Sequence, residues 1–239
     1  MSVIHKTTLV PTKLELLTVW LPKQPWYLGT AGEPRLAKVG GFRLDDPEGE
    51  VGIEFMVAVD TSGPEPVTYH LPMTYRGAAC AEAADGLIGT TEHGVLGHRF
   101  VYDGTHDPVL VRQLIALMQG ETQAQAQSLT DTPDPTVRHA PVPGEPFTVG
   151  GCAVMDNDRA GTRVLAATTD ARGGSAGVRL WVRRVLGDAG TPDGATPDGA
   201  TPDGSTPDGD VPGHVVVTWQ VPDGASTSAV AVTASRAGE

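Results

Sequence analysis

The sequence predicts an α+β fold: an antiparallel β-sheet packed by two helices and followed by a β-rich C-terminal part. Three observations carry this. Apolar residues alternate at Val51, Ile53, Phe55, Val57 and Val59, then again at Val67, Tyr69, Leu71, Met73 and Tyr75, with TSGPEP between them. That is the pattern of two half-buried antiparallel strands joined by a turn. Helix signals stand on either side of this hairpin. Beyond residue 146 short apolar-patterned segments recur between turns. The hairpin's odd positions are expected to face the core. Its even positions, with Glu54, Thr68, His70 and Thr74, are expected to face solvent.

Each element has a local reason. Val3 to Val10 reads as a short strand ended by Pro11. Thr12 and Glu15 fit a capping box, in which each side chain serves the other's backbone N–H. Leu14, Leu17 and Leu21 give the helical stripe, widened by Leu16 and Trp20, and Pro22 stops it. Trp26 and Tyr27 plug the end of the core. Leu36 to Leu44 reads as a strand bulged at Gly40-Gly41. Pro72 marks the second hairpin arm as an edge or bulged strand, because proline donates no ladder hydrogen bond. Leu87 to Thr90 and His98 to Tyr102 form a further pair. Asp107 caps a second helix with Pro108 at its first position and Gly120 as its stop. Leu110, Leu114, Leu117 and Met118 are its buried stripe, broadened by Val111 and Ile115.

Residues 121–146 are polar and Pro-rich and read as a linker or long surface loop. Strands follow at Phe147–Val154, Arg163–Thr168, Val178–Leu186, His214–Val221 and Ser228–Thr233. Turns are expected at Asp156-Asn157-Asp158, Ala171 to Gly177 and Pro222-Asp223-Gly224. The domain reading is therefore residues 1–120, a linker over 121–146, and a β-rich part over 147–235. Whether that part is separate or extends the first sheet stays open. Inside it, residues 187–212 carry TPDGATPDGATPDGSTPDG. This repeat has no side chain large enough to bury, so it reads as a disordered insert. It lacks the packing residue and ligand density of Asp/Gly calcium loops.

Net charge is −12. No basic footprint suits nucleic acid or an anionic membrane surface. Seven aspartates fall between Arg184 and Arg236, where there is no Lys or Arg. The N-terminus shows no basic-then-apolar leader, and Cys80 and Cys152 stand alone, so the expectation is a cytoplasmic protein in a reducing compartment.

Candidate chemistry centres on histidines and aromatics. His93, His98 and His106 lie close in sequence to Glu92, Asp103 and Asp107. They show no HxH, HExxH or HxxxH spacing, so no metal site is assigned. No GxxxxGK[ST], GxGxxG or GxSxG occurs, so neither a phosphate cradle nor a nucleophile elbow is assigned. No catalytic, cofactor-binding or metal-ligating residue is assigned. Trp26, Tyr27, His70, His93 and His106 remain as a candidate sugar or partner surface, since flat aromatic faces stack on sugar rings.

The stretch Trp20-Leu21-Pro22-Lys23-Gln24-Pro25-Trp26-Tyr27-Leu28-Gly29 resembles the W-L-P-x-Q-x-W-Y-x-G signature of the N-terminal cap domain of bacterial maltokinases. Tyr69-His70-Leu71-Pro72-Met73, Ile88-Gly89-Thr90 and Val101-Tyr102-Asp103 resemble later segments of that cap, over about residues 3–120. The whole chain is similar to stand-alone cap-type proteins, some labelled as 1,4-α-glucan branching proteins. The resemblance implies a cystatin-like sheet-and-helix cap and a link to α-glucan, maltose or trehalose metabolism. In the family the cap packs on a kinase fold that phosphorylates maltose with ATP. This chain has no H-G-D-x-H-x-x-N loop and no D-F-E, so those catalytic residues have no positions here. Pro25 and Thr30 also stand where maltokinases often carry Arg. The expected role is an accessory module that binds a sugar or a partner enzyme. The alternatives are a maltokinase-type or glucan-modifying enzyme, with ATP and Mg as its cofactors, and a binder of small apolar ligands.

Overall fold

The computed structural model describes residues 8–29, 32–127, 129, 132–187, 212–221 and 224–237. The TPDG repeat, residues 3–7 of the expected first strand and Pro222-Asp223 lie outside them. Helix α1 spans Lys13–Trp20 and opens with the expected box: Thr12 Oγ1 accepts from Glu15 N, and Glu15 Oε2 accepts from Thr12 N. Pro22 turns its end into a 3₁₀ turn, Leu21–Lys23. Helix α2 spans Pro108–Gln119, capped by Asp107 and ended by Gly120 at φ 76°, a left-handed position that glycine fills without penalty.

The strands are β1 (Leu9–Val10), β2 (Leu36–Leu44), β3 (Gly52–Asp60), β4 (Val67–Arg76), β5 (Leu87–His93), β6 (Gly97–Asp103), β7 (Gln125–Ala126), β8 (Arg138–Ala140), β9 (Phe147–Asp158), β10 (Gly161–Asp170), β11 (Ser175–Val182), β12 (Val185–Leu186), β13 (Gly213–Gln220) and β14 (Ser226–Arg236). Their order is β1-β5-β6-β4-β3-β2-β13-β14-β11-β10-β9, and β12 pairs back onto β4. The path β4-β3-β2-β13-β14-β11 is thus closed into a ring by β12. The chain changes partners between two consecutive residues. Arg183 N–H donates to Ala231 O of β14, whereas Arg184 O accepts from His70 N–H of β4. At the β2–β13 seam, Gly40 lies opposite Trp219. A Cβ at Gly40 would sit 2.7 Å from Trp219 Cβ, so only glycine permits that approach.

The C-terminal strands extend the first sheet and share its core. Phe42, Leu44, Ile53, Phe55 and Val57 pack with the apolar stripe of α2 and with Val164, Leu180, Val182, Val217 and Val232. A second cluster lies on the opposite side of β3, where Leu17 and Leu21 meet Trp26, Met56, Ala58, Tyr69, Leu71 and Met73.

Several expectations are corrected. The hairpin has no solvent face, since β3 is buried along nearly its whole length. Its register pairs Phe55 with Pro72 and Val57 with His70, so odd positions of β3 share a side with even positions of β4. His70, expected to be exposed, is 0% exposed, and Glu54 and Thr74 are buried with it. Pro72 lies in an interior strand without a bulge against β3. Beyond it, β12 pairs with Thr68 and Tyr69 while β6 begins pairing at Met73. Proline falls in the gap, where no N–H is needed. The stretch 121–146 carries β7 and β8 and buries Ala124 and Val142. Asp156-Asn157-Asp158 belongs to β9, with the turn at Arg159-Ala160, and β11 begins at Ser175, inside the expected Ala171–Gly177 turn. The single strand expected over Val178–Leu186 is two, broken at Arg183-Arg184.

Candidate functional site

The gap beside Pro72 is filled by polar side chains from both halves of the chain. Arg184, 1% exposed, donates from Nη2 to Asp103 Oδ2 at 2.6 Å and to Thr105 Oγ1 at 3.0 Å, and from Nε to Thr162 Oγ1 at 2.8 Å. Its guanidinium stands 5.1 Å from the Trp26 ring. Trp26 Nε1 and Thr162 Oγ1 both donate to Asn157 Oδ1. His70 stacks on Phe55 with ring centroids 6.0 Å apart, and its Nδ1 lies 3.1 Å from Arg183 O. Burial, and then the charge of Arg184, lower the His70 pKa to about 4, so the ring is neutral at pH 7. His70 Nε2 and Arg184 Nη1 have no hydrogen-bond partner.

A second cluster surrounds Glu54, 3% exposed. Lys13 Nζ donates to it at 2.5 Å, Tyr75 Oη at 2.7 Å and Gln127 Nε2 at 3.1 Å, with Lys38 Nζ at 3.8 Å. Burial alone would raise the carboxyl pKa. The Lys13 charge and hydrogen bond, helped by Lys38 and Tyr75, outweigh it and hold it low. Lys38 is lowered, first by burial and then by Lys13 and Arg43 against the opposing pull of Glu54, and Tyr75 is pushed far up by burial and by Glu54. A third arrangement fixes α2. Arg76 grips Asp107 through two bonds of 2.7 Å, and Thr74 donates to the same carboxylate at 2.8 Å.

The predicted surface residues do not converge. Trp26 is wholly buried, between Trp20 at 5.7 Å and Tyr69 at 6.0 Å. Neither Trp26 nor His70 presents a face to a sugar or a partner. Tyr27 is half-buried, stacks on Tyr69 and donates to Asp60. His93 sits at the β5–β6 tip, accepting from Val95 and Leu96 N–H. His106 ends the 3₁₀ turn Gly104–His106 and packs on Gly86. His98 pairs instead with Glu92 at 2.6 Å. Among the described residues no group of three His, Cys, Asp or Glu is placed to hold a metal, and both cysteines are free thiols. No helix among them is long and apolar enough to cross a membrane. A void of about 10 Å³, lined by Phe55, Pro72, Thr105 and Val182 among others, is about one water in size.

Arg184 escaped the sequence reading, yet a signal was present. Val178, Leu180, Val182 and Leu186 keep one parity, and Arg184 stands in that inward phase. An in-phase arginine needs a buried carboxylate, and Asp103 supplies it.

These residues define a closed antiparallel sheet whose N-terminal portion bears α1 and the WLPKQPWY turn. Residues 20–107 match the family model described as the maltokinase N-terminal cap domain, from the end of α1 to the N-cap of α2. The chain therefore carries a cap-like domain over those residues. No curated protein matches the chain.

Proposed function

We propose that the chain is an accessory module of α-glucan, maltose or trehalose metabolism, working by binding a partner enzyme rather than by transferring phosphate itself. The reading rests on the cap-domain match over residues 20–107. It is supported by what surrounds that domain: α2 and strands β9–β14 continue the cap's own sheet and core, where a kinase would place its catalytic lobe. The ionisable groups inside the cap support it too. Glu54, Asp103 and Asp107 are each engaged by a cation of this chain.

The test is a thermal-shift series on the purified chain with ATP·Mg, maltose and both together, beside an assay for phosphate transfer from ATP to maltose. The accessory reading expects no transfer and no shift from ATP·Mg. Transfer at a rate proportional to protein would replace it with the maltokinase-type reading. A shift with maltose alone would make the sugar, rather than a protein, the bound species.

A further inference from the structure

The outer face of β10 and β11 points away from the shared core. Period-two alternation puts Val164, Ala166, Val178, Leu180 and Val182 inside. It leaves Arg163, Leu165, Arg179 and Trp181 outside, with Arg163 directly opposite Trp181 and Leu165 opposite Arg179. Arg183 continues that side and lays its guanidinium 4.5 Å from the Trp181 ring. This is an aromatic and an aliphatic side chain ringed by three arginines, in a chain of net charge −12.

The three arginines are not equally engaged. Arg163 is bridged to Asp158 at 2.9 Å. Arg179 is exposed and makes no side-chain hydrogen bond or ion pair among the described residues. Among the described residues Arg183's guanidinium meets the Trp181 ring alone, and its Nε is buried without an acceptor. Burial lowers its pKa, and no carboxylate opposes that. Two cationic forks therefore flank one half-buried tryptophan, and among the described residues neither is paired with a carboxylate. Tryptophan and arginine are the side chains that most often anchor protein interfaces. The fork geometry suits carboxylates in pairs.

We propose that this face docks an acidic segment of a partner protein, with Trp181 and Leu165 as the apolar floor and Arg179 and Arg183 as the charge readers. The inference rests on the accessory reading above and names its surface and the chemistry of its partner. The surface lies outside the cap domain, in the part of the chain that the family match does not reach.

The experiment is selection of displayed random dodecapeptides on the full chain, followed by titration of fluorescein-labelled winners. Lys-for-Glu versions of the winners and an oligodeoxythymidine serve as competitors. The expected result is enrichment of acidic peptides. Arg179→Gln with Arg183→Gln should weaken them about tenfold or more, and Trp181→Ala similarly. Arg35→Gln, in the loop that leads into β2 of the cap, should leave binding unchanged. Far-ultraviolet circular dichroism and the melting temperature should match for all variants, so that loss of binding reports the face. Winners that are basic or neutral, affinities indifferent to the arginine changes, or stronger binding of the oligonucleotide would overturn the proposal. Such a failure leaves the accessory reading standing on another surface. Phosphate transfer to maltose would remove that reading and leave the peptide result untouched.

Discussion

Arg184 and Asp103 lie 81 residues apart in sequence and meet at 2.6 Å with both side chains almost wholly out of solvent. Asp103 ends the last strand of the matched cap, and Arg184 joins β11 to the strand that closes the ring on β4. The pair therefore spans the Pro72 gap. Removing one partner of such a pair strands the other as a buried charge, at a cost of about 3–5 kcal/mol. Arg184→Met should lower the urea midpoint accordingly. Arg184→Met with Asp103→Leu should recover a large part of the loss, because no lone charge remains. Equal loss in single and double variants would show that the pair matters through packing alone.

His70 makes stability depend on pH. Its folded pKa is about 4, against an unfolded value near 6.5. The unfolded chain binds the proton first as pH falls. The contribution is thus fully present above pH 6.5 and is lost progressively down to about pH 4, for a total of about 3 kcal/mol. Replacing His70 with Gln should flatten the unfolding free energy against pH in that window relative to the parent chain. Resonances of the His70 ring should show no titration step between pH 8 and 5. A midpoint near 6.5 would mean that the ring reaches solvent.

Asp107 does two jobs, and conservative variants separate them. Oδ1 accepts from Val109 N–H at 2.9 Å as the N-cap of α2, while both oxygens hold Arg76. Asp107→Asn keeps an acceptor for the cap and loses the charge. Asp107→Ala loses both and leaves a partly buried guanidinium unpaired. We expect a cost of about 2–3 kcal/mol for Ala and roughly half that for Asn, read from chemical denaturation. Identical costs would place all of the effect in the ion pair.

The capped helices, the strands of the first sheet and the β2 bulge at Gly40 were legible because each rests on chemistry within a few residues, whereas the seam that Gly40 makes with Trp219 was not. Faces were harder. Six residues, Thr61 to Pro66, separate the two hairpin strands, and Asp60 pairs with Val67. An even loop puts positions of opposite parity side by side, so the two apolar runs face opposite ways. That single step sends His70 inward beside Phe55 and makes β3 a two-sided core strand. The WLPKQPWY run was visible as a motif. That its Trp26 is buried, and bonded to Asn157, depends on a strand 131 residues away that no local pattern announces. Ring closure by β12 is hidden for the same reason. Two residues of pairing leave almost no trace in periodicity, and the only hint is the arginine standing in an apolar phase.

Sharing of one core predicts one unfolding event. Phe42, Ile53, Phe55 and Val57 from the cap face α2 and strands β10–β14, and fully burying each such side chain contributes about 1.5–3 kcal/mol. Tryptophans report on both parts, with Trp26 in the cap and Trp219 at the seam. Fluorescence and far-ultraviolet circular dichroism should therefore give coincident urea transitions. A chain ended at residue 120 keeps β2–β6 and α2 but strips the partners of that apolar side. It should show no cooperative transition and should expose hydrophobic surface to a dye such as ANS. Gly40→Val offers a milder break, since its side chain would collide with Trp219 Cβ and the Thr218 carbonyl. It should lower the midpoint for both probes together. A truncated chain that unfolds cooperatively, or probes that part company in the full chain, would show that residues 1–120 fold alone and that the later strands are only attached to them.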